Sequence, residues 1–128
     1  MEVRGTVVHG KHLGSRMGFP TANIDGPAPQ GAENGVYLGL IRVEGYPEAL
    51  PCIVDQGRHP TVPEGPPTIE AHILDFSDDI YGLRATVTYL RRLRPEQRFD
   101  SLEALTAQLG RDREAARAYF AAGVRDDP

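Results

Sequence analysis

Apolar and polar residues alternate in short runs along the first ninety positions, and glycines and prolines break the runs apart. The alternation is clearest in Thr68-Ile69-Glu70-Ala71-His72-Ile73. There Ile69, Ala71 and Ile73 fall on one strand face and Glu70, His72 and Leu74 on the other. Gly35-Val36-Tyr37-Leu38-Gly39-Leu40-Ile41-Arg42-Val43 is rich in β-formers, and residues 83–90 show partial period-2 alternation. Strands are predicted over 2–9, 19–24, 35–43, 49–55, 68–75 and 81–90. Turn chemistry separates them: a loop at 25–31, a turn at 33–35, a hairpin at 44–47 and a proline-stiffened loop at 59–67. Many short strands at this spacing predict a closed barrel or a sandwich.

The period changes near the C-terminus. Asp100, with Glu103 three positions on, has the form of a capping box, and Leu102, Leu105 and Leu109 share one helical face. Gly110 is predicted to end that helix. Asp112 is predicted to cap a second one, running through Ala115, Ala116, Ala118, Tyr119 and Phe120 to about Gly123. The chain therefore reads as mainly β (α+β): one domain over 1–125, with a β-barrel over about 1–92 and C-terminal helices over about 99–123.

Composition narrows the function classes. At 128 residues one self-sufficient core is expected. A net charge of −4 argues against a broad nucleic-acid footprint, so no nucleic-acid partner is expected. No apolar stretch reaches the ~18 residues of a membrane span, and Met1-Glu2-Val3-Arg4 lacks the apolar core of a signal peptide. The single cysteine, Cys52, excludes an intramolecular disulfide framework and fits a reducing cytoplasm. Its neighbours Leu50, Pro51, Ile53 and Val54 predict a buried thiol. A monomer is expected.

Candidate chemistry concentrates in Gly14-Ser15-Arg16-Met17-Gly18-Phe19-Pro20-Thr21-Ala22-Asn23-Ile24. Glycines allow close backbone approach to a ligand, and their N–H groups can form an anion nest. Gly10, Gly14 and Gly18 suit a phosphate loop or serve as turn glycines. Arg16, and less directly Lys11, can meet phosphate charge or remain solvated. Thr21 and Asn23 point to one side of an extended segment, where a hydroxyl and an amide oxygen are hard ligands for Mg²⁺. The same pair also caps turns. No Walker A or Gly-x-Gly-x-x-Gly pattern is present. Glu70 is the candidate base: partial burial on its strand would raise its carboxyl toward useful basicity, whereas a half-exposed strand leaves it a solvated surface residue. His9, His12, His59 and His72 match no zinc spacing, and no Gly-x-Ser-x-Gly elbow exists. Arg91, Arg92 and Arg94 form a basic cluster that is either a solvated strand end or a ligand clamp.

Taken together these segments resemble the ATP-dependent riboflavin kinase (flavokinase) family. The resemblance runs through Gly5-Thr6-Val7-Val8-His9-Gly10, the Gly-Phe-Pro-Thr-Ala-Asn core at 18–23, Gly35-Val36-Tyr37, Gly57-Arg58-His59-Pro60-Thr61 and Glu70-Ala71-His72-Ile73-Leu74-Asp75-Phe76. It continues through Tyr81-Gly82, Leu93-Arg94-Pro95-Glu96, Phe99-Asp100-Ser101-Leu102 and Gln108-Leu109. It implies a six-stranded Greek-key β-barrel with C-terminal helices, and transfer of the ATP γ-phosphoryl group to the ribityl 5′-hydroxyl of riboflavin, giving FMN and ADP. Residues matching Thr21 and Asn23 hold Mg²⁺ and nucleotide phosphates under a loop carrying Gly10, Gly14, Arg16 and Gly18. The residue matching Glu70 is the base. The flavin side involves Glu70 and Arg94, covered by a second loop and the C-terminal helical part. The alternative is a non-catalytic flavin- or nucleotide-binding module on the same barrel.

Two segments depart from the family pattern. Asp55-Gln56-Gly57 stands where members often read Asn-Ile-Gly, which predicts an altered strand end or altered nucleotide contacts. Lys11-His12-Leu13 replaces the small or acidic residues expected before Gly-x-Arg. Bifunctional bacterial relatives carry an FAD-synthesising adenylyltransferase module ahead of this one. With Met1 immediately before the first strand, a monofunctional kinase or an excised domain is expected.

Overall fold

Strand alternation closes into a barrel. The computed structural model describes residues 1–9, 21–58 and 64–123. Its strands are β1 (Glu2–Val8), β2 (Ala22–Asp25), β3 (Gly35–Val43), β4 (Leu50–Gly57), β5 (Thr68–Ile73) and β6 (Arg84–Pro95). They form a closed barrel in the order β1-β2-β5-β4-β3-β6, with all neighbours antiparallel. β3, β4 and β5 run as a meander and β6 returns beside β3, which is the Greek-key arrangement. No helix among the described residues is long and apolar enough to cross a membrane.

Inward positions fill the lumen. Val3, Val7, Ile24, Ile41, Val54 and Val87 belong to one buried cluster, and each contributes about 1.5–3 kcal/mol relative to exposure. Cys52 is fully buried there, as its apolar neighbours require, and burial raises its thiol pKa. Two glycines set the local geometry. Gly45, at φ 88°, turns the β3–β4 hairpin, closed by the Tyr46 N–H donating to Val43 O at 2.9 Å. Gly5 lets β1 lie against the end of β2, since a Cβ there would collide with the Asp25 carbonyl.

Strand β3 is buried on both faces. Its inner residues face the lumen, while Val36 and Leu38 join Ile53 of β4 in a second cluster on the outer wall. Among the described residues, the C-terminal part forms one continuous helix, α1 (Leu102–Ala121), which covers this cluster with Ala116, packed with Tyr119 and Phe120. This corrects the expectation of two helices. Gly110 lies inside α1 rather than at its end, and Asp112 caps nothing. A mid-helix glycine costs only about 1 kcal/mol. Packing at Ala116 and the ion pair of Asp112 hold the far half and offset that cost. The start is also shifted by one residue: Ser101, not Asp100, is the N-cap, its Oγ accepting from the Ala104 N–H at 3.0 Å.

Candidate functional site

The alternation of β5 turns Ile69, Ala71 and Ile73 into the lumen and Glu70 outward, as its sequence pattern predicts. Strand register then places a row of side chains around the outer wall. Asn23 of β2 pairs with Glu70 of β5, and Glu70 pairs with Asp55 of β4. Asp55 pairs with Val36 of β3, and Val36 with Arg94 of β6. Residues distant in sequence thus become a contiguous strip, one strand spacing of about 4.8 Å per step.

Thr21, just before β2, donates its hydroxyl to Glu70 Oε1 at 3.2 Å. Thr21, Asn23 and Glu70 are all half-buried. The Asn23 Nδ2 is buried and has no hydrogen-bond partner among the described residues. A buried amide without a partner is costly unless a ligand completes it. Thr21 can give its proton to Glu70 and still present oxygen lone pairs. This donor set, a hydroxyl and an amide with a carboxylate between them and the next strand, fits a hard cation such as Mg²⁺ and the phosphate oxygens it accompanies. Gly10, Gly14, Arg16 and Gly18 lie outside the described residues.

Asp55 and Gln56 part company on β4. Gln56 points into the lumen, 1% exposed, and belongs to the core. It donates to Ala32 O and Asn34 Oδ1, both at 3.2 Å, and accepts from the Tyr89 hydroxyl at 2.8 Å. Asp55 faces outward beside Glu70. Dense surroundings disfavour its charged form, Glu70 adds repulsion and Arg94 opposes both, leaving its carboxyl raised to about 6. Its side chain also reaches solvent, which screens these interactions.

The sign of the linkage follows. The folded state holds the Asp55 proton more tightly than the unfolded chain, whose carboxyl titrates near 3.8. Ionisation therefore removes stability as pH rises from about 4 through about 6. Asp55→Asn is expected to be more stable than the parent at pH 8 by about 1 kcal/mol, a figure reduced for solvent screening. At pH 4 the gain should vanish. Urea midpoints at the two pH values read this directly, and an equal gain at both would refute the electrostatic origin.

Arg94 lies at the far end of the strip. Its Nε donates to Asp112 Oδ1 at 3.0 Å and its Nη2 to Asp112 Oδ2 at 2.8 Å, a two-pronged pair from barrel to helix. Gln108 donates to the same Asp112 at 2.8 Å. Arg92 donates to Asn34 O at 2.8 Å, while Arg91 stays exposed. The basic cluster is thus a structural fastening at two of its three members.

A cavity of about 290 Å³ opens beside Thr21, lined by Ile73, Phe76, Asp78, Ile80 and Tyr81 among others. Its lining draws on the family segments at 18–23, 70–76 and 81–82, though sequence alone assigned it no role.

Fold and site together define a small closed β-barrel protein that carries its polar site on the outer wall rather than in the lumen. Its sequence matches the riboflavin kinase (flavokinase) family over residues 1–120, and the chain belongs to that family. A bifunctional riboflavin kinase/FMN adenylyltransferase from Pseudomonas fluorescens is 40% identical over 120 residues, covering 93% of this chain and 38% of the relative. This chain therefore spans well under half the length of that relative. The crystal structure of riboflavin kinase from Trypanosoma brucei matches with a TM-score of 0.65 at 30% identity, over 94% of this chain and 79% of that one. A crystal structure described as a macrolide-efflux protein from Streptococcus pneumoniae matches with a TM-score of 0.80 at 32% identity, over 91% of this chain and 38% of that one.

Proposed function

We propose that this chain transfers the γ-phosphoryl group of ATP to the ribityl 5′-hydroxyl of riboflavin, forming FMN and ADP with Mg²⁺. The observation that carries the reading is the convergence of Thr21, Asn23 and Glu70, joined by the Thr21–Glu70 hydrogen bond and the Asn23–Glu70 register. Membership of the riboflavin kinase family supports the choice of substrates.

Phosphoryl transfer needs positioning and charge neutralisation more than covalent chemistry. Thr21 and Asn23 would hold Mg²⁺, which when bound neutralises phosphate charge. Glu70 receives the proton of the attacking hydroxyl at its carboxylate. Its hydrogen bond from Thr21 fixes the rotamer, so the basic oxygen keeps one orientation. The cavity beside Thr21 suits a nucleobase, being largely apolar and adjacent to the phosphate side. The flavin ring then lies on the opposite flank, toward Arg94 and α1. There Arg94 shapes the pocket by fixing the helix through Asp112.

Purified chain incubated with riboflavin, ATP and Mg²⁺ is expected to yield FMN resolved by chromatography, and none when metal or nucleotide is omitted. Riboflavin binding by fluorescence quenching with no FMN under any nucleoside triphosphate would instead indicate a binding module.

A further inference from the structure

Asp55 sits immediately beside the proposed base, and its carboxylate makes no hydrogen bond among the described residues. Its register partner is Glu70, so two carboxylates stand directly opposite each other on neighbouring strands. Such pairs are unfavourable, and their Cβ atoms lie about 4.5–5.5 Å apart. Arg94 offsets them only in part, because its Nε and Nη2 are both engaged by Asp112. Glu96 does not relieve them. Its carboxylate accepts from the Arg58 N–H at 3.2 Å and adds a further negative charge near Asp55. The outer wall thus presents an exposed acceptor that donors of a ligand can reach.

The order of the strip says which part of the ligand supplies them. Thr21 and Asn23 lie on the β2 flank of Glu70, and Asp55 lies on the β4 flank. In-line transfer places the attacking and leaving oxygens on opposite sides of the phosphorus. With the phosphates over β2 and the attacking hydroxyl at Glu70, the rest of the acceptor extends over β4. It passes Asp55 before it reaches the helix.

Resting on the kinase reading above, we propose that Asp55 is a specificity-determining residue that accepts a hydrogen bond from the hydroxyl next to the one being phosphorylated. Two facing carboxylates match two adjacent hydroxyls of a polyol chain, each acceptor meeting one donor. An ionised acceptor makes the stronger, charge-assisted bond. An asparagine in its place keeps an acceptor oxygen but loses the charge.

The test pairs enzyme variants with substrate variants. Wild type, Asp55→Ala and Asp55→Asn are assayed with riboflavin and with 4′-deoxyriboflavin at saturating ATP and Mg²⁺, and flavin Kd is measured by fluorescence quenching. Asp55→Ala is expected to lower kcat/KM for riboflavin about 10- to 100-fold, chiefly through KM, the loss associated with a hydrogen bond to a charged group. On 4′-deoxyriboflavin it should match wild type within about 3-fold. Asp55→Asn should fall between the two and retain preference for the 4′-hydroxyl, so the proposal stays readable if the alanine variant fails to fold. Equal losses on both substrates, or a loss reversed by raising Mg²⁺, would overturn the proposal while leaving the kinase reading intact. Wild type that binds riboflavin without forming FMN would overturn both.

Discussion

Glu70→Gln is expected to lower kcat for FMN formation by about 100- to 10,000-fold, the usual contribution of a positioned general base. The substitution keeps size and shape, and the glutamine Oε1 can still accept from Thr21, whose hydroxyl lies 3.2 Å from the present carboxylate. Glu70 is half-buried on the wall of a barrel whose core lies on the opposite face of β5, so folding should be unaffected. Riboflavin should still quench on binding, with Kd changed only a few-fold. The drop then belongs to the chemical step, because an amide cannot take the ribityl proton. Turnover close to the parent would remove Glu70 as the base and leave the barrel wall as a positioning surface only.

Asp112→Ala is expected to destabilise the fold by about 3–5 kcal/mol. Asp112 is 3% exposed and Arg94 15% exposed, so neither charge can turn to water for compensation. Removing the carboxylate leaves a guanidinium with two donors unanswered and takes away the acceptor of Gln108. Asp112 and Ala116 are the buried residues of α1, so the ion pair is a main tie between helix and barrel. Urea denaturation should show a lower midpoint. Replacing both partners, Arg94→Met with Asp112→Leu, should recover most of the loss, because the penalty comes from an uncompensated charge rather than from the absence of an ion pair. A double variant as unstable as Asp112→Ala alone would place the cost in packing instead.

Much of the barrel was legible because half-buried strands write their two faces into the sequence. β1 and β5 alternate and were placed closely, and β3 reads as a continuous apolar run because the helix buries its outer face. The discrepancies have local causes. β4 extends two residues past its predicted end because Gln56, polar in sequence, is satisfied inside the lumen by Ala32, Asn34 and Tyr89. β6 runs on to Pro95 because Arg91, Arg92 and Arg94 are strand residues with partners across the sheet, beyond register shifts that a period-2 reading cannot cross. β5 stops at Ile73 rather than at 75, where Asp75 takes a φ of 52°. α1 ignores Gly110 because tertiary contacts outweigh a local propensity of about 1 kcal/mol. Within the candidate site, Thr21, Asn23 and Glu70 stood out in the sequence by their type and spacing. Asp55 stood out only as part of the departure at Asp55-Gln56-Gly57, because its place beside Glu70 depends on the β4–β5 register, which lies outside any short motif.

The seam between β1 and β6 governs how the molecule is made. Val3 pairs with Val87 and Glu2 with Thr88, so the first strand must wait for the last before the wall is complete. At about 5–20 residues added per second, several seconds of synthesis separate the two. During that interval the meander of β3, β4 and β5 can assemble from local hairpins, but β1 and β3, the two strands that β6 joins, carry unpaired edges. Such long-range closure predicts slow folding for a chain of this size. A nascent chain halted before residue 84 lacks β6 entirely and should remain sensitive to protease, whereas release after α1 should confer protection in one cooperative step.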